Sequence, residues 1–200
     1  MSETTTRVAC IGASITFGRG LANRREECYP AVLQSLLGEQ FTVRNFGYSG
    51  ATAGRETNQP YWQTASFTSA TRFDSQVAIV SFGVNDAQYE NLPNLARFDR
   101  DLADLIEHFR DLPARPTVLL TLPLPVFEPC GGIDISTVGA VIEPNIQQVA
   151  DALAVPTIDT RTPFLGRGDW FPDNLHPNAK GARLLAETVH TALVEHDLAG

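Results

Sequence analysis

Positive charge is scarce in this 200-residue chain: 15 Lys and Arg stand against 23 Asp and Glu, a formal net charge of −8. Nucleic acids and anionic membrane surfaces both require a basic footprint, so neither is an expected partner. Long apolar runs are missing as well, and no stretch approaches the ~18 apolar residues that a membrane span needs. The opening Met1–Arg7 segment has no basic region leading into an apolar run, so no secretory leader is expected in it. Cysteines are few, odd in number and irregularly spaced, at Cys10, Cys28 and Cys130. With no CxxC or Cys/His cluster, they suggest no zinc site, and Cys10, inside an apolar run, reads as a buried thiol. The expectation is a reduced, cytoplasmic setting. Internal repeats, low-complexity tracts and linkers are also absent. Hydrophobic residues at 43% and charged residues at 19% describe an ordinary globular chain, and residues 1–200 read as one domain.

Short apolar runs alternate with helical patterns along the whole length. Arg7–Ile11, Phe41–Asn45, Val77–Phe82, Thr117–Thr121 and Val155–Ile158 read as strands. The third is continuous and largely β-branched, as a strand buried on both faces requires. A helix is expected over Tyr29–Gly38, with Pro30 in its first turn and Gly38 as its C-cap. Leu95, Phe98, Leu102, Leu105, Ile106 and Phe109 fall on one helical face. A further helix over Val138–Leu153 is expected to be interrupted near Pro144, and a last one runs from about Asn178 to Glu195, opened by Pro177. Such alternation implies an α/β protein, a three-layer α/β/α sandwich on a mostly parallel five-stranded sheet. Two long loops, Thr52–Phe73 and Pro123–Thr137, stand out as places where function concentrates.

In open parallel sheets ligands bind beyond the carboxyl ends of the strands, so the segments following each strand carry the chemistry. These are Gly12-Ala-Ser-Ile-Thr16, Asn45-Phe-Gly-Tyr-Ser-Gly-Ala-Thr52, Gly83-Val-Asn-Asp86 and Asp173-Asn-Leu-His176. A serine hydroxyl needs a base to become a nucleophile at neutral pH. Among these segments only His176 supplies one, and Asp173, one turn earlier, can orient its ring and stabilise the imidazolium. The backbone N–H groups of Ser14 and Gly50 and the side-chain amide of Asn85 are natural donors for an oxyanion.

The four segments resemble, in order, the conserved blocks of the SGNH hydrolases, the GDSL-type lipases and esterases. The likeness runs from about residue 8 to about residue 185. It implies a flavodoxin-like hydrolase fold, Ser14, Asp173 and His176 as catalytic residues, and Ser14, Gly50 and Asn85 as the oxyanion hole. It implies an acyl-enzyme mechanism on small-molecule esters without metal or cofactor. The substrate is expected to be a short acyl ester, such as an O-acetyl group on a sugar. Alternatives are a thioesterase, a lysophospholipase, a longer-chain lipase, or a glycan-binding module without turnover. One departure stands beside the nucleophile: Ala13 occupies the position of the family's usual aspartate.

Each residue also has a plainer reading. Ser14 alone reads as the N-cap of a helix beginning near Ile15. Asp173 and His176 alone read as a turn and a helix-start histidine, Gly50 as a tight-turn residue, and Asp86 as a structural cap. His108, His190 and His196 read as solvated surface residues, and Arg55 as a surface arginine. Asp99, Asp101, Asp104 and Glu107 read as a charged outer helix face. For substrate contacts, the aromatic residues Trp62, Tyr89, Phe127 and Trp170 are the candidates, because a ring beside polar groups can stack on a sugar or line an acyl pocket.

Overall fold

A computed structural model describes residues 5–199; Met1–Thr4, most of the segment inspected for a leader, and Gly200 lie outside the described residues. Five strands form one sheet: β1 (Thr6–Gly12), β2 (Phe41–Gly47), β3 (Val77–Ser81), β4 (Thr117–Thr121) and β5 (Thr157–Ile158). They run in the order β2-β1-β3-β4-β5, and every adjacent pair is parallel. Eight α-helical segments accompany them: α1 (Ser14–Phe17), α2 (Arg24–Glu27), α3 (Tyr29–Leu37), α4 (Ala65–Phe73), α5 (Phe98–Arg110), α6 (Ile135–Thr137), α7 (Glu143–Leu153) and α8 (Ala179–Glu195). Among the described residues, no helix is long and apolar enough to cross a membrane.

The period of two along each strand sorts its side chains into two cores. Ala9, Ile11, Ala78, Val80, Val118 and Leu120 face one side and pack with Leu102, Leu105 and Ile106 of α5 and Ile146 and Val149 of α7. Val8, Cys10, Val77, Ile79 and Leu119 face the other, against Leu33 and Leu37 of α3 and Leu185, Val189 and Leu193 of α8. Both faces are therefore covered, which explains the unbroken apolar runs.

Several boundaries differ from the expected ones for identifiable reasons. Pro177 does not open the last helix; Asn178 is its N-cap, accepting a hydrogen bond from the Gly181 N–H at 3.1 Å, so His176 sits in the bend before the helix. Pro144 does not break its helix either. It lies in the first turn of α7, and the chain before it, Val138–Ile142, widens into a π turn, a local adjustment of the helical ladder ahead of a residue without an N–H. The segment Thr52–Phe73 is a loop only in its first half: Thr64 caps α4 by accepting from the Phe67 N–H at 3.1 Å. Its weak apolar pattern had concealed that helix.

Candidate active site

The sheet order places a topological switch point between β1 and β3: the chain leaves β1 for β2 on one side and returns to β3 on the other. A crevice forms at such a point. Ser14 follows β1 and Asn85 follows β3, so the two face each other across it, and Gly50 comes from the turn after β2.

Ser14 is the first residue of α1 rather than its cap; the N-cap position is Ala13, which offers no side-chain hydrogen bond. The Ser14 hydroxyl is thus free of the capping duty that its sequence context suggested. Two contacts fix the turn that carries it. The Asn45 side-chain amide donates to the Thr16 carbonyl at 2.7 Å, and its oxygen accepts from the Gly47 N–H at 2.9 Å. Gly47 is required by proximity, since a Cβ there would stand 2.2 Å from the Phe17 nitrogen.

His176 reaches Ser14 across 162 residues of chain: its Nε2 lies 2.8 Å from the serine Oγ. Its Nδ1 lies 2.7 Å from Asp173 Oδ2. A carboxylate can only accept, so Nδ1 carries the proton and Nε2 is left to accept from the serine hydroxyl. Asp173 Oδ1 accepts two backbone N–H groups, from His176 at 2.7 Å and Leu175 at 3.2 Å. Partial burial raises the pKa of this carboxyl, but the two backbone donors and the imidazole outweigh that, and it sits below its ordinary value. The carboxylate therefore stays ionised beside the ring. Of the three side chains, Ser14 and His176 are buried while Asp173 remains half-exposed.

The donors converge from the other two loops. Gly50 has a φ of +86°, a left-handed conformation that favours glycine, and a Cβ there would stand 2.7 Å from Gln59 Oε1. One hydrogen of the Asn85 amide is fixed on the Ala51 carbonyl at 2.9 Å, which leaves the other free. Buried Asp86 ties the two loops together by accepting from Gly54 N–H at 2.8 Å and Ala53 N–H at 3.2 Å. Burial pushes the Asp86 carboxyl up to about 6, against the pull of those backbone donors. It is a brace between loops rather than a local cap.

Two hollows adjoin Ser14. One, of about 250 Å³, is open and of mixed polar and apolar lining, walled by Gly50, Asn85 and His176 together with Arg19, Gln88 and Cys130. The other, of about 30 Å³, lies under the nucleophile between Ala13, Val84, Leu124 and Leu175. A larger cleft of about 700 Å³ opens at the opposite end of the sheet, where Arg110, Arg115 and Asp111 line it beside the start of β4, and it contains no nucleophile–base pair.

The aromatic candidates are not brought to either hollow. Trp62 donates its indole N–H to the Ala53 carbonyl at 3.0 Å and packs on Phe67 and His108. Its outer face is covered by the Arg55 guanidinium, 3.5 Å from the ring centre. Phe127 packs on Phe171, and Trp170 lies under Arg167. Tyr89 is exposed, next in sequence to the wall residue Gln88, but does not itself line the hollow. Two other plain readings are corrected. His108 is half-buried rather than free on the surface, and its Nε2 pairs with Thr71 Oγ1 at 2.9 Å among aromatic rings. Asp101 is buried and accepts the Arg55 backbone N–H at 2.8 Å. The wall residues Arg19, Gln88 and Cys130 went unmarked in the sequence, because nothing local to them signals that three separate loops meet.

The chain is 35% identical over 209 aligned residues to an acetylxylan esterase of Xylanibacter ruminicola, a match covering 96% of this chain and 44% of that protein. It thus spans less than half the length of this curated relative. A carbohydrate acetylesterase from Sinorhizobium meliloti superposes with a TM-score of 0.75 at 16% identity, covering 96% of this chain and 100% of the other. An aryl esterase of M. smegmatis does so with a TM-score of 0.75 at 16% identity, covering 96% and 99%. A two-domain esterase active on acetylated mannans matches with a TM-score of 0.69 at 22% identity, over 96% of this chain and 50% of that one. At these identities the structural matches speak for the fold alone. The family model of the GDSL-like lipases and acylhydrolases matches residues 10–184, and the chain belongs to that family.

Proposed function

We propose that the protein is a serine esterase that hydrolyses short acyl esters, O-acetyl groups foremost, through an acyl-enzyme. One observation carries the reading: the unbroken line from Asp173 through His176 to Ser14, with separations of 2.7 and 2.8 Å. Ser14 Oγ attacks the ester carbonyl carbon while His176 Nε2 takes its proton. The Ser14 and Gly50 N–H groups and the free Asn85 amide hydrogen receive the oxyanion, and Asp173 stabilises the imidazolium. Collapse expels the alcohol with the proton from His176. A water, deprotonated by the same nitrogen, then releases the acid and restores the serine.

The small size of the hollow beside Ser14, about 30 Å³, supports a short acyl group. The acetylxylan esterase and the esterase active on acetylated mannans favour a carbohydrate as the alcohol. We read residues 1–200 as one hydrolase domain. Three free thiols, two of them buried, fit a reducing compartment such as the cytoplasm.

The test is acetate release from an acetylated xylo-oligosaccharide and 4-nitrophenol release from 4-nitrophenyl esters of two to twelve carbons. Wild type should act on the acetyl esters and decline steeply with acyl length, and Ser14→Ala should be inactive. Wild-type rates in Ser14→Ala would rule the mechanism out. A maximum at long chains would instead favour a lipase or thioesterase.

A further inference from the structure

We propose that Arg19 is a specificity-determining residue, whose guanidinium receives a carboxylate carried on the alcohol side of the ester. The preferred substrate class is then an O-acylated acidic sugar, such as an acetylated uronate, rather than a neutral one. This inference rests on the esterase reading above and narrows its substrate.

Four observations lead there. First, Arg19 is among the residues that wall the 250 Å³ hollow, together with Ser14, Gly50, Asn85 and His176. Second, the side chain is uncommitted. It makes no ion pair and no side-chain hydrogen bond among the described residues, unlike Arg55, Arg97 and Arg161, which all face carboxylates. Third, the carboxylate in the same hollow, Asp173, is occupied by the His176 ring and by two backbone N–H groups. Fourth, the base of Arg19 is anchored to the nucleophile's own turn, its N–H donating to the Ser14 carbonyl at 3.0 Å. The main chain of Arg19 is therefore fixed beside the Ser14 turn, and its exposed side chain is free to swing towards a bound anion, in a protein whose net charge is −8.

The two hollows divide the substrate. The small hollow, of about 30 Å³, suits a small acyl group, and the open hollow of about 250 Å³ that Arg19 helps to wall suits the larger alcohol part. A planar guanidinium offers a carboxylate paired N–H donors, an interaction roughly twice as strong as a neutral hydrogen bond. In an open, water-filled hollow it is screened, and its effect falls with ionic strength.

The experiment compares mono-O-acetylated methyl glucuronoside with the methyl glucoside acetylated at the same position, by acetate release at low and high salt. Wild type should prefer the uronate about tenfold in kcat/KM at low salt, mainly through KM, and lose much of that preference at 0.5 M salt. Arg19→Gln should bring the ratio to about one, Arg19→Glu should invert it, and Arg19→Lys should restore part of it. A wild-type ratio of one, or a preference untouched in Arg19→Gln, overturns the inference while leaving the esterase reading intact. Fluorophosphonate labelling separates the remaining case: labelled Ser14 without turnover of either sugar overturns the substrate class alone, and an unlabelled Ser14 takes the esterase reading down with it.

Discussion

Two histidines in this molecule hold a hydroxyl through Nε2 at almost the same distance, His176 to Ser14 at 2.8 Å and His108 to Thr71 at 2.9 Å. Only the first pair has a third partner, Asp173, on the opposite ring nitrogen. The second lies between Phe67, Trp62 and Phe109, with the Arg55 cation near it. Burial and that cation both lower the His108 pKa, so its ring is held neutral. Developing positive charge on it during proton transfer would be penalised where His176 is supported. The Thr71 hydroxyl also donates back to its own helix, to the Phe67 carbonyl at 3.0 Å, and no oxyanion cradle faces it. A hydroxyl–imidazole pair is thus a packing device until a carboxylate, converging donors and an open hollow are added.

The contrast breaks most sharply on turnover. His176→Gln should cut kcat by about 10⁴-fold or more, whereas His108→Gln should change it less than about twofold; comparable losses from both would erase the distinction. Next comes the brace that only the Ser14 side possesses. Asp86 is held at about 6 against an ordinary value of 3.8, so folding favours its protonated form. Its stabilising contribution is complete below pH 3.8 and is lost as pH rises through 6. The difference amounts to about 3 kcal/mol. Urea midpoints of wild type and Asp86→Asn between pH 4 and pH 7 should therefore shift in the variant's favour, and a constant offset would remove the argument. Smaller still, Trp62→Ala should cost about 2–3 kcal/mol of stability and leave KM for an acetylated sugar unchanged; a raised KM would return the indole to the substrate. The weakest effect belongs to His108. Its depressed pKa gives stability that is present above the unfolded value of 6.5 and fades as pH falls. His108→Gln should flatten that acid slope in thermal melts.

What could be read in advance divides along similar lines. The strands and the segments after them were readable because parallel-sheet topology converts chain order into spatial convergence: Ser14, Gly50, Asn85, Asp173 and His176 each follow a strand or precede a helix. Burial within loops was not readable. Trp62 and Asp101 read from sequence as a candidate substrate contact and a member of a charged helix face, and only the fold of residues 52–64 over α5 reveals that they share Arg55 as a partner. Ala13 illustrates a middle case. The sequence marks it as a departure from the family pattern, but its place in the wall of the small hollow is a matter of geometry.

The 162-residue separation between Ser14 and His176 means that the pair forms only when both ends of the chain are folded together. Ser14, Gly50 and Asn85 follow the first three strands, which lie side by side in the order β2-β1-β3, while His176 lies on the segment leading into α8. That segment is held by the packing of α8 on the sheet face shared with α3. If the proposed roles hold, a chain whose sheet has formed but whose last helix is free would keep the oxyanion donors and lack the base that activates Ser14. On the proposed mechanism, catalytic competence therefore requires the C-terminal helix to be docked on the sheet, and a chain truncated before it would be inert towards esters.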